Sequence, residues 1–245
     1  MTLVAAATTA PQVVAHLRDS RGIAVLPVGA LEQHGPHLPL STDTLTAEAV
    51  AERIADALDA LLLPTIGYGA TWNMSGYPGT VTLRPETVEA LAVDIGRGVA
   101  DAGARALVIV NGDWGNRAPL AKAAEALAIP TLVLNHPGLD EAAERVRDSR
   151  PAAPGLMHAE EIETSLVLAI APDLVQGTAE AVYPDFPPEF GTVPMRMHGF
   201  SPSGVFGDPG PATADKGRTM LDAVVAASLR LVEERLSRTE HRQQD

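Results

Sequence analysis

Between Leu26 and Asp43 the chain reads LPVGALEQHGPHLPLSTD, which sets Glu32, His34, His37 and Asp43 between an apolar run and a helical pattern. Glu32 and His34 are two residues apart. In extended backbone, side chains at i and i+2 point to the same side, so a carboxylate and an imidazole can converge on one point. Asp43 comes from the far end of a turn rich in Gly and Pro. Oxygen and nitrogen donors gathered this way suit a divalent cation. The plainer alternative is a set of loop residues that hydrogen-bond their own turn. Asp43 also lies just before the helical pattern and so doubles as a candidate N-cap. His37, three residues past His34, reads as a supporting or structural residue.

Two later segments carry further candidates. In NGDWGN, residues 111–116, Asp113 is either a metal ligand or a turn aspartate bonded to its own backbone. In HAEEIETS, residues 158–165, a helix from Ala159 puts Glu163 on one stripe with Leu166, Val167 and Ile170. A carboxylate on an apolar stripe needs a partner, because burying it bare is costly. A cation, an arginine or a solvent-facing edge would each serve. His158 opens this helix, and its ordinary pKa suits proton transfer near neutral pH. Otherwise it is a surface histidine at a helix start. Trp72, Asn73, Tyr77 and Trp114 lie in loops of the same kind and are candidates for a substrate-pocket wall, although aromatics placed there also suit packing between subunits. His136, in LNHPG, is close to the same edge, but nothing else singles it out.

The elements that must position these residues alternate between strand and helix. Apolar runs at 22–28, 61–66, 105–110 and 131–134 read as strands, and the patterns at 45–61, 85–102, 117–128, 159–170 and 215–236 read as helices. Such alternation predicts a single α/β domain with a parallel sheet flanked by helices on both faces. In such folds sites gather at the carboxyl ends of the strands. EQH, WNMSGYPGT and NGDWGN all follow predicted strands there. The Pro- and Gly-rich stretch 171–211 reads as an ordered surface loop or hairpin. The domain spans 1–238, and 239–245 form a polar tail.

Composition narrows the classes. With 46% hydrophobic and 4% aromatic residues, the core must be mostly Ala, Val and Leu. A net charge of −13 argues against nucleic-acid backbones and anionic membranes as partners. There is no cysteine, so any metal is held by His, Asp and Glu. No stretch reaches the length of a membrane span, and the start lacks the basic region of a secretory signal, so a cytoplasmic location is expected.

The run GALEQHGPHLPLSTD resembles the signature of the creatininase family of metal-dependent amidohydrolases. The likeness continues through Pro78-Gly79-Thr80, Asn111 to Asn116, His158 to Ser165 and GVFGDPGPATADKGR at 204–218, covering nearly the whole chain in order. The resemblance implies a creatininase-like fold and hydrolysis of an amide or cyclic amide C–N bond of a small molecule by a metal-activated water. It implies one or two divalent ions (Zn, Mn or Fe), one held by Glu32, Asp43 and Asp113, the other by His34, Asp43 and Glu163. Asp43 then bridges, and His158 passes a proton to the leaving nitrogen. It further implies a closed homo-oligomer, a hexamer on the family pattern. The chain departs from that pattern twice. Asp113 stands where relatives carry histidine, which would favour harder ions such as Mn²⁺, and Asn73-Met74 stand where relatives carry a Glu-His pair. Those departures keep two other readings open. One is a peptidase acting on a modified peptide in cofactor maturation. The other is a catalytically degenerate binding or scaffold protein.

Overall fold

The computed structural model describes residues 2–242. Five parallel strands form one sheet in the order β1-β3-β2-β4-β5: β1 is Leu3–Val4, β2 Ile23–Val28, β3 Leu61–Leu62, β4 Ala106–Asn111 and β5 Thr131–Leu134. The two long central strands are buried at every residue, which is why they read as unbroken apolar runs instead of alternating ones. Alternate residues still serve opposite faces. Ile23 and Val25 pack with helices α2 (Thr42–Leu58), α5 (Leu139–Val146), α6 (Glu161–Ile170) and α7 (Ala214–Arg242). Ala24, Leu26 and Val28 pack with α1 (Ala10–Asp19), α3 (Pro85–Asp101) and α4 (Arg117–Ala126). The sheet is covered on both faces, as the alternation of patterns predicts.

Register then levels the strand ends. β2 pairs with β4 from Ile23↔Ala106 to Val28↔Asn111. The loop carrying Glu32 and His34 and the loop carrying Asp113 therefore leave the same edge of the sheet side by side. Gly112 makes the approach possible: a Cβ there would sit 2.2 Å from the carbonyl oxygen of Asp43.

Several boundaries differ from the periodic reading. Helix α2 begins at Thr42 and stops at Leu58, where Asp59 turns left-handed at φ 48°. Strand β3 is only Leu61–Leu62, although Ile66 still bridges to Val28. The periodicity leaves out β1, α1 and α5: β1 has two residues and α5 eight, and α1 buries only Leu17. The stretch 171–211 is an ordered loop, with 3-10 turns at Pro172–Leu174 and Met197–Gly199 and single bridges Val182↔Gly207 and His158↔Phe206. Phe186, Phe190, Phe200 and Phe206 meet there. Helix α7 continues through Arg242, and the remainder of the segment read as a polar tail lies outside the described residues.

Candidate metal centre

Glu32 and His34 sit in the loop after β2, which is pinned by Glu32 N–H donating to Leu40 O at 2.9 Å and by the bridge Leu31↔Val81. His34 Nδ1 lies 3.0 Å from the carbonyl oxygen of its own neighbour Glu32. A carbonyl only accepts, so Nδ1 carries the proton and Nε2 is turned inward. There it lies 3.3 Å from Asp43 Oδ1 and 3.5 Å from Glu163 Oε2. Asp43 occupies the first turn of α2, where the helix dipole favours a carboxylate. It is not the N-cap; Ser41 holds that position.

Asp113 follows β4 in extended backbone. The turn reading of NGDWGN holds for Asn111, whose side chain bonds Asp113 N and O at 3.2 and 2.8 Å. The Asp113 carboxylate itself is buried beside Glu32 and Asp43. Asn116 ties the turn to its neighbours, donating to Gly29 O and accepting from Ala70 N. Sequence reasoning gives Asn116 no role; its signal is an amide at the end of a turn at the sheet edge. Gly115 has no room for a side chain, since a Cβ would meet the Ala70 oxygen at 2.3 Å.

Glu163 does lie on the inner stripe of α6, and its partners are His34 and the N–H of Ala159, at 2.6 Å from Oε2. No arginine pairs with it among the described residues. The helix starts at Glu161 and not at Ala159, because Ala159 is left-handed (φ 51°) and Glu160 caps the helix, accepting from Ile162 N at 3.0 Å. His158 therefore precedes the helix and is buried, which corrects both its placement as the helix opener and the surface alternative. Its Nε2 lies 2.8 Å from the Gln33 carbonyl, so the ring donates there and leaves Nδ1 facing Glu32 Oε1 at 3.5 Å. The ring stacks 4.3 Å from that of His34 and meets Phe206 edge-on. His37 supports α6 through Thr164 Oγ1 at 2.9 Å.

The pocket-wall candidates separate. Trp72 and Asn73 are half-buried in a 3-10 turn after β3, and Asn73 Oδ1 has no hydrogen-bond partner. Trp114 is 64% exposed. Tyr77 points inward, packed with Met74, Met197 and Phe206, and its hydroxyl donates to Ser201 O.

Three overlapping triads each bring ligand atoms within 4.8 Å of one another: Glu32-Asp43-Asp113, His34-Asp43-Glu163 and Glu32-His34-His158. Glu32 Oε2, Asp43 Oδ2 and Asp113 Oδ2 are buried with no hydrogen-bond partner among the described residues. Burial pushes Glu32 well above the ordinary carboxylate range, and the charges of Asp113 and Asp43 add to it. Burial and Asp43 push Asp113 up to about 7. Burial also raises Asp43, against the pull of His34. For His34 burial works downward, yet Asp43 and Glu163 outweigh it and hold the imidazole well above its usual value. Burial would raise Glu163, but His34 reverses this and brings it to about 2. His158 goes down to about 3 through burial and the charge on His34. A cluster that retains protons on carboxylates and a charge on its histidine holds more negative charge than its surroundings neutralise. Divalent cations fit that deficit, and the donor set of four carboxylates and an imidazole is one that binds them.

A parallel α/β sheet with carboxylates and histidines converging at its carboxyl edge defines a candidate divalent-metal site where ligands of such folds bind. Residues 6–232 match the family model described as Creatininase: Creatinine amidohydrolase, and the chain belongs to the creatininase family of hydrolases. The mycofactocin precursor peptide peptidase of Mycolicibacterium smegmatis is 39% identical over 211 residues, covering 82% of this chain and 80% of that protein. The creatinine amidohydrolase of Pseudomonas putida is 31% identical, with 83% and 85% covered. A crystal structure of creatinine amidohydrolase superposes with a TM-score of 0.83 at 25% identity, over 95% of this chain and 97% of the other. A solved manganese creatininase gives a TM-score of 0.81, and a mutant creatininase of Zn–Zn type 0.80, both at 25% identity and over 96% of this chain and 98% of the other.

Proposed function

We propose that the chain is a dinuclear peptidase-type amidohydrolase that cleaves an amide bond of a peptide, modified or not. Glu32, Asp43 and Asp113 would hold one divalent cation and His34, Asp43 and Glu163 the other, with Asp43 common to both groups. The observation that carries this is one buried carboxylate oxygen on each of Glu32, Asp43 and Asp113 with no hydrogen-bond partner among the described residues. Asp113 makes the first position all oxygen, which favours Mn²⁺, while the imidazole of the second favours Zn²⁺ or Fe²⁺. Bound cations supply Lewis-acid polarisation of the amide carbonyl and a water of lowered pKa. His158 is anchored through Nε2 to the Gln33 carbonyl, so Nδ1 is the atom that takes a proton and returns it to the leaving nitrogen. The Gln33 bond fixes this tautomer, as a backbone carbonyl on the far ring nitrogen does for histidines at other metal sites. Trp72, Asn73 and Trp114 flank the substrate, and Tyr77 supports the loop beneath them.

A peptide is favoured over a small cyclic amide because the 39% relative is a peptide peptidase and because the exposed ring of Trp114 beside Asp113 offers contact to a substrate larger than the cluster. The chain acts in the cytoplasm as a closed homo-oligomer, on the family pattern a hexamer, with the Phe-rich loop 183–206 among its contact surfaces. No helix among the described residues is long and apolar enough to cross a membrane. The decisive experiment follows hydrolysis of a peptide panel and of creatinine by mass spectrometry after loading with Mn²⁺ or Zn²⁺. Peptide cleavage abolished by chelation is the expected result; turnover of creatinine alone would sink the peptide reading. Light scattering that reports a monomer at micromolar concentration would sink the oligomer.

A further inference from the structure

Beside the cluster lie two polar side chains that the hydrolytic reading does not use. β5 pairs with β4 through Val110↔Leu134, so Asn135 and His136 emerge next to Asn111 and Gly112. Asn111 Nδ2 donates to Asn135 Oδ1 at 2.8 Å and also to Asp113 O. The β5 loop is thereby fastened to the loop that carries Asp113. His136 has a left-handed backbone, φ 49°. For a residue with a side chain this conformation costs free energy and persists where the surroundings impose it, often at ligand-contacting positions. Its Nε2 is buried and has no hydrogen-bond partner among the described residues, which is itself a cost unless something else satisfies it. Arg117 opens α4 directly behind NGDWGN, is exposed, and has no ion-pair or hydrogen-bond partner for its guanidinium among the described residues. Both loops leave the same edge of the sheet; burial first, and then the charge of Arg117, lower His136 to about 4, against the opposing charge of Glu163.

We propose that Arg117 and His136 form an anion-recognition subsite beside the metal centre, which takes a free carboxylate of the peptide substrate. This rests on the peptide-hydrolase reading given above. The chain carries −13, so an anionic substrate approaches against an unfavourable net field, and a guanidinium beside the centre lowers that cost. A guanidinium binds a carboxylate through two parallel N–H groups. A neutral His136 protonated on Nε2 adds one N–H donor. The substrate class is therefore peptides, or N-acyl amino acids, with a free carboxylate near the scissile amide.

The test uses the Mn²⁺-loaded full chain and matched probes: N-acetyl-trialanine with a free carboxylate and its C-terminal amide, then the same pairing across a tripeptide library. Hydrolysis is read by mass spectrometry and binding by quenching of Trp114 and Trp72 fluorescence. Wild type should favour the carboxylate member about tenfold or more in binding and in kcat/KM. Arg117→Gln should bring that ratio close to one, Arg117→Lys should keep part of it, and His136→Ala should reduce it. Carboxylate coordination to the metal alone survives Arg117→Gln, so an unchanged ratio in that variant overturns the subsite. Equal binding of both twins by wild type, or binding of neither, overturns it as well. Selective binding that Arg117→Gln removes, without any product, leaves the subsite standing and defeats the peptide-hydrolase reading instead.

Discussion

His34 presents Nε2 to Asp43 Oδ1 at 3.3 Å because its other nitrogen is held by the carbonyl of Glu32. One local hydrogen bond in an E-x-H loop thus decides which imidazole nitrogen faces the carboxylates. Asp43 and Glu163, outweighing burial, hold the His34 imidazole above its usual value, which favours the protonated ring as their counter-ion when no cation is bound. As a ligand it must be neutral, so a cation takes the place of the His34 proton.

Metal content follows from this exchange. Protein expressed in Mn²⁺- and Zn²⁺-supplemented medium should carry about two ions per chain by elemental analysis. Asp43→Ala should lose both, and Glu163→Gln mainly the one near His34. Chelation should lower the melting temperature by roughly 5–10 °C at ligand concentrations well above Kd. An unchanged melting temperature together with metal-free wild type rules the centre out.

Asp113 separates a ligand from a turn residue. Asp113→Ala should weaken metal binding about as much as Asp43→Ala, and Asp113→His should keep a metal while shifting preference toward Zn²⁺. Asp113→Asn should weaken binding as well, because a neutral amide replaces an anionic donor. Calorimetric titration of the three variants with Zn²⁺ and Mn²⁺ decides the matter; wild-type affinity in both Ala and Asn variants removes Asp113 from the ligands.

For His158 the expected pattern is loss of rate without loss of metal. His158→Ala should cost roughly 10²–10⁴ in kcat while elemental analysis still finds the wild-type ion content. If the metal is lost along with activity, Nδ1 belongs to the third triad, with Glu32 and His34, and acts as a ligand.

Glu160 gives a pH dependence of stability. Burial, reinforced by Glu163, pushes its carboxyl up to about 8 from an ordinary 4.5. The folded state therefore binds this proton more tightly than the unfolded state. Its contribution is fully present below about pH 4.5 and is lost as pH rises toward 8. Metal-free protein should melt at a lower temperature at pH 8 than at pH 5. Glu160→Gln, which keeps the cap acceptor and removes the charge, should flatten that dependence and raise the melting temperature at the higher pH. A slope identical to wild type in the Gln variant removes Glu160 as its source.

Much of the site is local in the chain and therefore legible in it. Glu32 and His34 share a side because extended backbone repeats every two residues, and Asp43 follows one turn later. The apolar runs of β2 and β4 and the stripe of Leu166, Val167 and Ile170 carry the sheet and α6, and with them the expectation that loops after the strands would hold the chemistry. Other features depend on contacts across long stretches of sequence. The pairing Val28↔Asn111 sets Asp113 beside Glu32. The left-handed Ala159 takes His158 off the helix and onto Gln33. Tyr77 turns into the Phe206 cluster, and His136 joins the edge only through β5. Periodicity records which face of its own element a residue occupies. Which residues of other elements stand opposite, and which lone pairs they leave unsatisfied, is set by strand register and backbone turns, which depend on the packed whole.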